Sequence, residues 1–226
     1  MGTPDIFDDT VKRIEAAYRQ LGHQLGWRFL VGRRRTLSPT ARTAFITLNP
    51  GGRQKPKDHG EASSEGGSAY LLESWSGRPP GESKLQKQVL GLFRGLDEEL
   101  DDTLCAYFIP FRSPTLATLL RRKESTAFAL ELWRNIFEHI HPDLVVCIGE
   151  DTERALRSIW GKPAMATRHP VGWGAQTVTI ASYASHLLVR FPHLSHFGVF
   201  GRAASEKQLQ AIFAEVSQRR TALQTT

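Results

Sequence analysis

Short apolar runs alternate with amphipathic stretches along most of this chain, and this alternation constrains the fold more than any other feature. Four runs have the length and composition of buried strands: 45–48, 104–109, 144–148 and 187–191. The segments between them carry apolar residues at steps of three and four, which is typical of core-facing helices. Strands that alternate with helices favour a parallel sheet covered by helical layers. The sequence therefore predicts an α/β fold.

Length and composition are those of an ordinary globular protein. The 226 residues suit a single domain, which we expect to span 1–226. The formal net charge of +6 is a weak indication of a polyanionic partner such as nucleic acid. The two cysteines lie in apolar runs, where buried thiols are expected, and are too few to ligate an iron–sulfur cluster. Without a signal core or membrane-length apolar stretch, we expect a cytoplasmic protein.

The first strand ends in Asn49-Pro50-Gly51-Gly52, and the functional interpretation depends most on this motif. Ligands of open α/β sheets bind beyond the carboxyl ends of the strands, which is where Asn49 lies. The two glycines permit a ligand to approach the backbone closely. An ordinary Pro-Gly turn explains this stretch, taken alone, equally well.

The second strand ends in another conspicuous loop, Pro110-Phe111-Arg112-Ser113-Pro114. Ser113 is placed to cap a short helix, and Pro114 is placed to open it. Arg112 then lies near a strand end and a helix N-terminus, which favours anion binding. A structural ion pair explains Arg112 equally well at this stage.

The fourth strand opens into Pro192-His193-Leu194-Ser195, with His196 and Phe197 directly after it. The carboxyl ends of parallel strands share one edge of a sheet, so this loop should meet the other two there. A histidine at such a position can serve a site near neutral pH, and a satisfied loop histidine is the structural alternative.

Two more stretches have both a structural and a functional interpretation. Residues 53–82 form a long irregular segment, whose Tyr70 and Trp75 either anchor the segment to the body or stack on a flat base. Arg33-Arg34-Arg35 is typical of a solvated turn, with a phosphate contact as the alternative.

Together the strand-end loops resemble the uracil-DNA glycosylase superfamily. Residues 48–51, Leu-Asn-Pro-Gly, look like the first motif of its mismatch-specific and thymine-DNA branches. Pro192-His193-Leu194-Ser195 looks like its second motif, a His-Pro-Ser type loop with Leu194 in place of the proline. Residues 197–201 resemble the segment that follows. The match spans about 44–213, and the order of the motifs at strand ends makes the set more specific than each motif alone.

The resemblance implies a three-layer α/β/α sandwich around a four-stranded parallel central sheet. It also implies a monofunctional, metal-independent DNA glycosylase of base-excision repair. Such an enzyme flips a damaged base, uracil or a related one, into a pocket and hydrolyses its N-glycosidic bond. The implied partner is DNA, and no cofactor, metal, iron–sulfur cluster or membrane is expected. The protein is expected to be a monomer.

The resemblance also assigns roles to individual residues. Asn49 would position the attacking water, and His193 would stabilise the departing anionic base. The substrate-binding residues would be Pro50, Gly51, Gly52, Tyr70 and Tyr107, with Trp75 as the other candidate for a stacking wall. The DNA-binding residues would be Arg112, Ser113, Ser195, His196 and Phe197, the last two filling the gap left by the flipped base.

Departures from the family pattern keep other functions open. Uracil-selective members carry an asparagine where Tyr107 stands, and a tyrosine cannot offer that paired donor and acceptor. If Phe191-Pro192 is the counterpart of His-Pro, the catalytic histidine is missing. We take His193 instead, because Ser195 then falls where the motif requires a serine. The alternatives are a weak or inactive module that binds DNA or nucleobases, and an enzyme acting on free nucleosides or nucleotides.

Overall fold

One mixed sheet of six strands is the framework of the molecule, for which a computed structural model describes residues 5–54 and 60–224. The strands are β1 (Thr43–Thr47), β2 (Leu104–Tyr107), β3 (Leu144–Ile148), β4 (Met165–Pro170), β5 (Thr177–Ser182) and β6 (Leu187–Phe191). Their order across the sheet is β2-β1-β3-β6-β5-β4. The pairs β1–β2, β1–β3 and β3–β6 are parallel, whereas β5 pairs antiparallel with both β4 and β6.

The α/β class predicted from the sequence is confirmed, but the four-stranded parallel sheet is only part of the sheet observed. The four predicted apolar runs supply the four parallel strands. β4 and β5 extend the sheet beyond β6 as an antiparallel pair. β4 escapes sequence patterning because it is an edge strand, Met-Ala-Thr-Arg-His-Pro, with exposed and half-buried positions instead of an apolar run.

Helices cover both faces of the sheet. They are α1 (Ile6–Gln20), α2 (Ala69–Leu72), α3 (Lys84–Leu96), α4 (Arg122–His139), α5 (Glu150–Trp160) and α6 (Ala203–Gln224), with short 3₁₀ turns at Arg34–Thr36 and Leu116–Thr118. α1, α4 and α5 share one hydrophobic cluster, and α2, α3 and α6 share the other. Among the described residues, no helix combines the length and the hydropathy that a bilayer crossing requires.

Alternation along β1 separates these two clusters. Ala44 and Ile46 belong to the cluster of α1, α4 and α5, and Phe45 belongs to the cluster of α2, α3 and α6. Successive side chains of a strand point to opposite faces, so one buried strand supplies both cores. Cys105 and Cys147 are fully buried as expected, and burial raises the pKa of both thiols.

Helix α3 has a capped N-terminus and packs closely against the loop after β6. Ser83 and Gln86 form a reciprocal capping box at its N-terminus, which satisfies backbone N–H groups that the helix leaves free. Further along, Gly91 faces Phe200, and a Cβ at Gly91 would lie 2.6 Å from the Cβ of Phe200. Only a residue without a side chain permits this approach of α3 to the loop.

The segment before β1 runs along the outer edge of β2. Leu30 and Trp27 form isolated antiparallel bridges with Ala106 and Phe111, respectively. Residues 60–82 continue over this edge through backbone bonds such as Phe29 N–H to the Glu61 carbonyl, at 2.9 Å. Of the long loop predicted at 53–82, residues 55–59 lie outside the described part of the chain.

Candidate functional site

Asn49 and His193 lie at the same edge of the sheet. Asn49 follows the end of β1 at Thr47, and His193 follows the end of β6 at Phe191. Only β3 separates these parallel strands, which places them about 10 Å apart. β3 is followed directly by Gly149, which has no side chain to fill the space between the two loops. A Cβ at Gly149 would lie 3.6 Å from Cδ2 of His193.

The side chain of Asn49 is held in one orientation by a neighbouring loop. Its Nδ2 group donates to the Pro50 carbonyl at 3.1 Å and, across to the loop after β2, to the carbonyl and the Oγ of Ser113 at 3.2 and 3.1 Å. Within residues 5–54 and 60–224, Oδ1 of Asn49 has no hydrogen-bond partner. The half-buried amide therefore commits its donors internally and leaves its acceptor available.

Ser113 supports Asn49 and does not face solvent. Only 2% of Ser113 is exposed, and its hydroxyl donates to the Thr115 carbonyl at 2.8 Å. Its N–H donates to the Pro50 carbonyl at 3.1 Å. The expected helix cap is therefore wrong, because Thr115 caps the 3₁₀ turn at Leu116–Thr118. With its hydroxyl already bonded inside the protein, Ser113 is unsuited to the phosphate contact expected from the sequence.

Arg112 joins the loops after β1 and β2. Its guanidinium donates to the carbonyl of Gly51, and burial lowers the pKa of this half-buried group. Nε of Arg112 is buried and has no partner among the described residues. Gly52 adopts a φ of +100°, and a Cβ there would lie 3.5 Å from Nη1 of Arg112. The structural ion pair considered for Arg112 is not present in the described part of the chain.

His193 is oriented within its own loop. Its Nδ1 lies 2.8 Å from the Oγ of Ser195. Burial, followed by the charge of His196, lowers the pKa of His193, so the neutral imidazole is favoured near pH 7. A neutral ring that accepts the Ser195 hydroxyl at Nδ1 carries its proton on Nε2. His193 can then offer a donor without carrying a charge.

The rest of this loop is fastened to α3 by two polar side chains. Gln88, 7% exposed, accepts from the N–H groups of Val199 and Phe200 at 2.6 and 2.9 Å and donates to the Phe200 carbonyl at 2.9 Å. Lys84 donates to the His196 carbonyl at 2.6 Å. Gln88 was not predicted, although a polar residue among the apolar residues of α3 was a usable signal.

Phe197 and His196 lie together at the outer side of the loop. The backbone N–H groups of both residues donate to the His193 carbonyl, each at 2.9 Å, and these bonds close a tight turn. Phe197 is half-buried and meets Trp173 edge to face, with ring centroids 5.4 Å apart. His196 is exposed, and its ring centroid lies 4.5 Å from that of His193. The roles expected for these two residues on DNA stay predictions.

Tyr70 does not offer a free stacking face in this structure. The residue is 1% exposed, and its ring meets Phe45 and Trp75 edge to face at 5.7 and 5.2 Å. The anchoring interpretation of Tyr70 and Trp75 is thus the one that these contacts favour. Tyr107 is half-buried at the end of β2, and burial raises the pKa of its hydroxyl.

A nearly buried ion pair beside Tyr107 was not predicted. Both guanidinium ends of Arg28 bind the Glu73 carboxylate, at 2.8 and 2.6 Å, and Trp75 donates to Glu73 at 2.9 Å. The positive charge of Arg28 acts to lower the pKa of Tyr107, against the larger effect of burial. The single charge of Arg28 within an apolar run was a usable sequence signal for a buried ion pair. No such signal identified its partner Glu73, which is 45 residues away.

The three consecutive arginines at 33–35 lie at the opposite edge of the sheet. Val31 donates to the Cys105 carbonyl near the start of β2, so the residues after Val31 continue towards the amino ends of the strands. Each arginine pairs with carboxylates: Arg33 with Asp101, Arg34 with Asp5 and Asp8, and Arg35 with Asp102. These ion pairs favour the structural interpretation over a phosphate contact.

The structure thus collects the predicted residues into two groups at one edge. The first contains Asn49, Pro50, Gly51, Gly52, Arg112 and Ser113, and the second contains His193, Ser195, His196 and Phe197. No hydrogen bond or ring contact joins the two groups in the described ranges, and Tyr70 and Tyr107 lie beside the first. Searches against protein-family models and curated protein sequences give no match to this chain.

Proposed function

We propose that the protein is a DNA glycosylase-like hydrolase, which cleaves the N-glycosidic bond of a damaged base flipped out of DNA. The observation that carries the proposal is the pairing of a free amide oxygen on Asn49 with an imidazole on His193 at the same sheet edge. Each side chain has its other polar group bonded to a serine. Fixed orientation of this kind is what a hydrolytic site requires.

The roles of the two side chains follow from their free atoms. Oδ1 of Asn49 accepts a hydrogen bond from a water molecule and directs its oxygen towards C1′ of the sugar. As the C1′–N bond breaks, the sugar becomes oxocarbenium-like and the base leaves with the bonding electrons. Nε2–H of His193 donates to that anionic base. The water oxygen completes the bond to C1′, and the proton it loses neutralises the released base.

The surroundings of Asn49 suit a substrate that enters from the sheet edge. Gly51 and Gly52 are exposed and place no side chain beside the amide. Gly149 likewise leaves the position between the two loops free of a side chain. Tyr107 replaces the carboxamide of uracil-selective glycosylases, so the proposal specifies a damaged base and leaves uracil as one candidate among several.

A panel of oligonucleotides, each with one lesion, tests the proposal by abasic-site formation in single and double strands. We expect release of at least one deaminated or alkylated base. Asn49→Ala should abolish this release, because the water loses its acceptor. Asn135→Ala is the matched control, since Asn135 lies on α4 away from the sheet edge. Folded wild-type protein that releases no base from any oligonucleotide would refute the enzyme.

A second candidate is a module of this fold that binds DNA or nucleobases without chemistry. Two observations favour it: Tyr70 is enclosed by other rings, and Tyr107 lacks the amide that reads uracil. DNA binding that weakens with salt and is accompanied by no turnover would select this candidate. Turnover of free nucleosides without DNA affinity would instead select a small-molecule enzyme.

A further inference from the structure

Three consecutive cations, Arg121, Arg122 and Lys123, form an exposed patch at the start of α4. We call these three residues the α4 basic patch. In the described part of the chain, no carboxylate forms an ion pair with any of them. Unpaired, solvated cations keep their full attraction for a polyanion.

The α4 basic patch lies at the same sheet edge as Asn49. α4 follows β2 and leads to the parallel strand β3, so the helix begins near the carboxyl ends of the strands. Arg122 lines a cleft of about 270 Å³ whose wall includes Leu48 and Ile109. Leu48 directly precedes Asn49 in sequence. The cleft therefore extends from Arg122 to the residue that precedes the candidate water-positioning amide.

The backbone of the patch is fixed by Ser125, which is fully buried. The hydroxyl of Ser125 donates to the Leu120 carbonyl at 2.9 Å, and its N–H donates to the Arg121 carbonyl at 2.8 Å. Oγ of Ser125 also lies 3.0 Å from Nε2 of the buried His23. The backbone that carries the three charged side chains is thus fixed by hydrogen bonds, while the charges themselves are unpaired within the described ranges.

The contrast with residues 33–35 shows that the pairing of cations differs across the molecule. Those three arginines stand at the amino edge of the sheet, and aspartates pair with all of them. At the carboxyl edge, the neighbouring Asp151 is paired with Arg154 at 2.9 Å. The cations of the α4 basic patch, on the side of the candidate site, are therefore unpaired among the described residues, whereas those of residues 33–35 are neutralised by aspartates.

We propose that the α4 basic patch binds the phosphate backbone of DNA beside the nucleotide that enters the site. The choice of DNA as the polyanion rests on the proposed function. Each cation that neutralises a phosphate releases a condensed counterion, so binding through the patch must depend on salt concentration. Contacts of this kind fix the register of the protein on the strand and carry no sequence information.

The test replaces the patch by Arg121→Gln, Arg122→Gln and Lys123→Gln together. Binding of a fluorescent, lesion-free duplex is measured by anisotropy over a series of NaCl concentrations. We expect binding to weaken by about tenfold or more, and the slope of log affinity against log salt to become shallower by about two to three. Each single substitution should lower the slope by about one, which provides the measurement if the triple variant does not fold.

A matched control carries Arg134→Gln, Lys162→Gln and Arg168→Gln. These three cations are also exposed and lie outside the patch, and the change likewise lowers the formal charge from +6 to +3. The control should bind within about twofold of the wild type, with an unchanged slope. Equal weakening in both triple variants would overturn the proposal, because it would reduce the effect to net charge.

The outcome for the patch is separable from that for the enzyme. If the wild type binds DNA through the patch but releases no base, the glycosylase fails and the patch is supported. If the wild type releases a base and the patch variant keeps its affinity and salt slope, the patch is overturned and the glycosylase stands. A wild type that binds no duplex at low salt overturns the patch directly.

Discussion

The loops after β1 and β6 each present one candidate catalytic side chain, but they hold it in different ways. Asn49 is fixed from outside its loop, by Ser113 at 64 residues' distance in sequence. His193 is fixed from inside its loop, by Ser195 two residues away. The loop after β6 is then fastened as a whole to α3 through Gln88. One side chain is thus oriented by packing between loops and the other by a local turn.

This difference predicts that Asn49 and His193 respond differently to the loss of one hydrogen bond. An amide held by three acceptors in a half-buried position has little freedom, so its free oxygen has a defined direction. An exposed imidazole held at one nitrogen can rotate more readily. Pre-organisation of this kind decides how much a missing contact changes the rate.

The largest expected effect comes from releasing the loop after β6 from α3. Gln88→Leu leaves the N–H groups of Val199 and Phe200 without their acceptor, and each buried unpaired group is costly. We expect the free energy of unfolding to fall by about 2–4 kcal/mol, measured by urea denaturation. Gln210→Leu, at an exposed position of α6, is the control and should change stability by less than about 0.5 kcal/mol. Equal stability of both variants would show that Gln88 does not hold the loop.

The next effect tests the outside support of Asn49. Ser113→Ala removes one of the two contacts from that residue to the amide, while the Thr115 carbonyl keeps its bonds from the N–H and the hydroxyl of Thr118. We expect base release to fall by about 10- to 100-fold, because the free amide oxygen loses its fixed direction. Single-turnover kinetics on the preferred lesion measure the change. A rate close to that of the wild type would mean that the backbone contacts alone orient Asn49.

A smaller effect is expected on the inside support of His193. Ser195→Ala removes the partner of Nδ1, so the ring loses its preferred tautomer but stays in place beside Gly149. We expect base release to fall by about three- to tenfold, as befits the loss of one exposed hydrogen bond. The same single-turnover assay applies. A fall in base release greater than that caused by Ser113→Ala would show that His193 depends more on its serine than Asn49 does.

The smallest effect concerns pH. Because burial and His196 lower the pKa of His193 below its ordinary value of 6.5, the midpoint of the acid limb of base release should lie below pH 6.5. His196→Ala removes the second cause, so the acid limb should move to higher pH. NMR titration of the His193 ring measures the shift directly. An unmoved limb would mean that burial alone sets this pKa.

Acid unfolding must be separated from that pH profile. Burial lowers the pKa of His186, at the turn between β5 and β6, to about 4. The native state therefore favours neutral His186, and the stability present above pH 6.5 is lost as the pH falls towards 4. His186→Phe should reduce this loss in thermal melts at pH 5 while leaving the melts at pH 7.5 nearly unchanged.

The sequence could predict features that depend on local patterns, but not contacts between residues far apart in the chain. The apolar runs predict the four parallel strands, because strands buried on both faces are nearly continuous in apolar residues. β4 carries no such run, since an edge strand with exposed side chains needs none. The contact between His193 and Ser195 lies within one short loop, but no pattern in the sequence predicted it. The pairs Asn49–Ser113 and Arg28–Glu73 follow from the packing of distant loops, which no local pattern records.

The Pro50 carbonyl accepts both the amide of Asn49 and the backbone N–H of Ser113, and Arg112 reaches back to Gly51. These hydrogen bonds join the loops after β1 and β2, so we expect the two loops to move together. Any widening of the sheet edge to admit a nucleotide must then come from the β6 side, where Gln88 and Lys84 fasten the loop to α3. Hydrogen exchange should accordingly be slow at the amide of Ser113 and faster at that of His196.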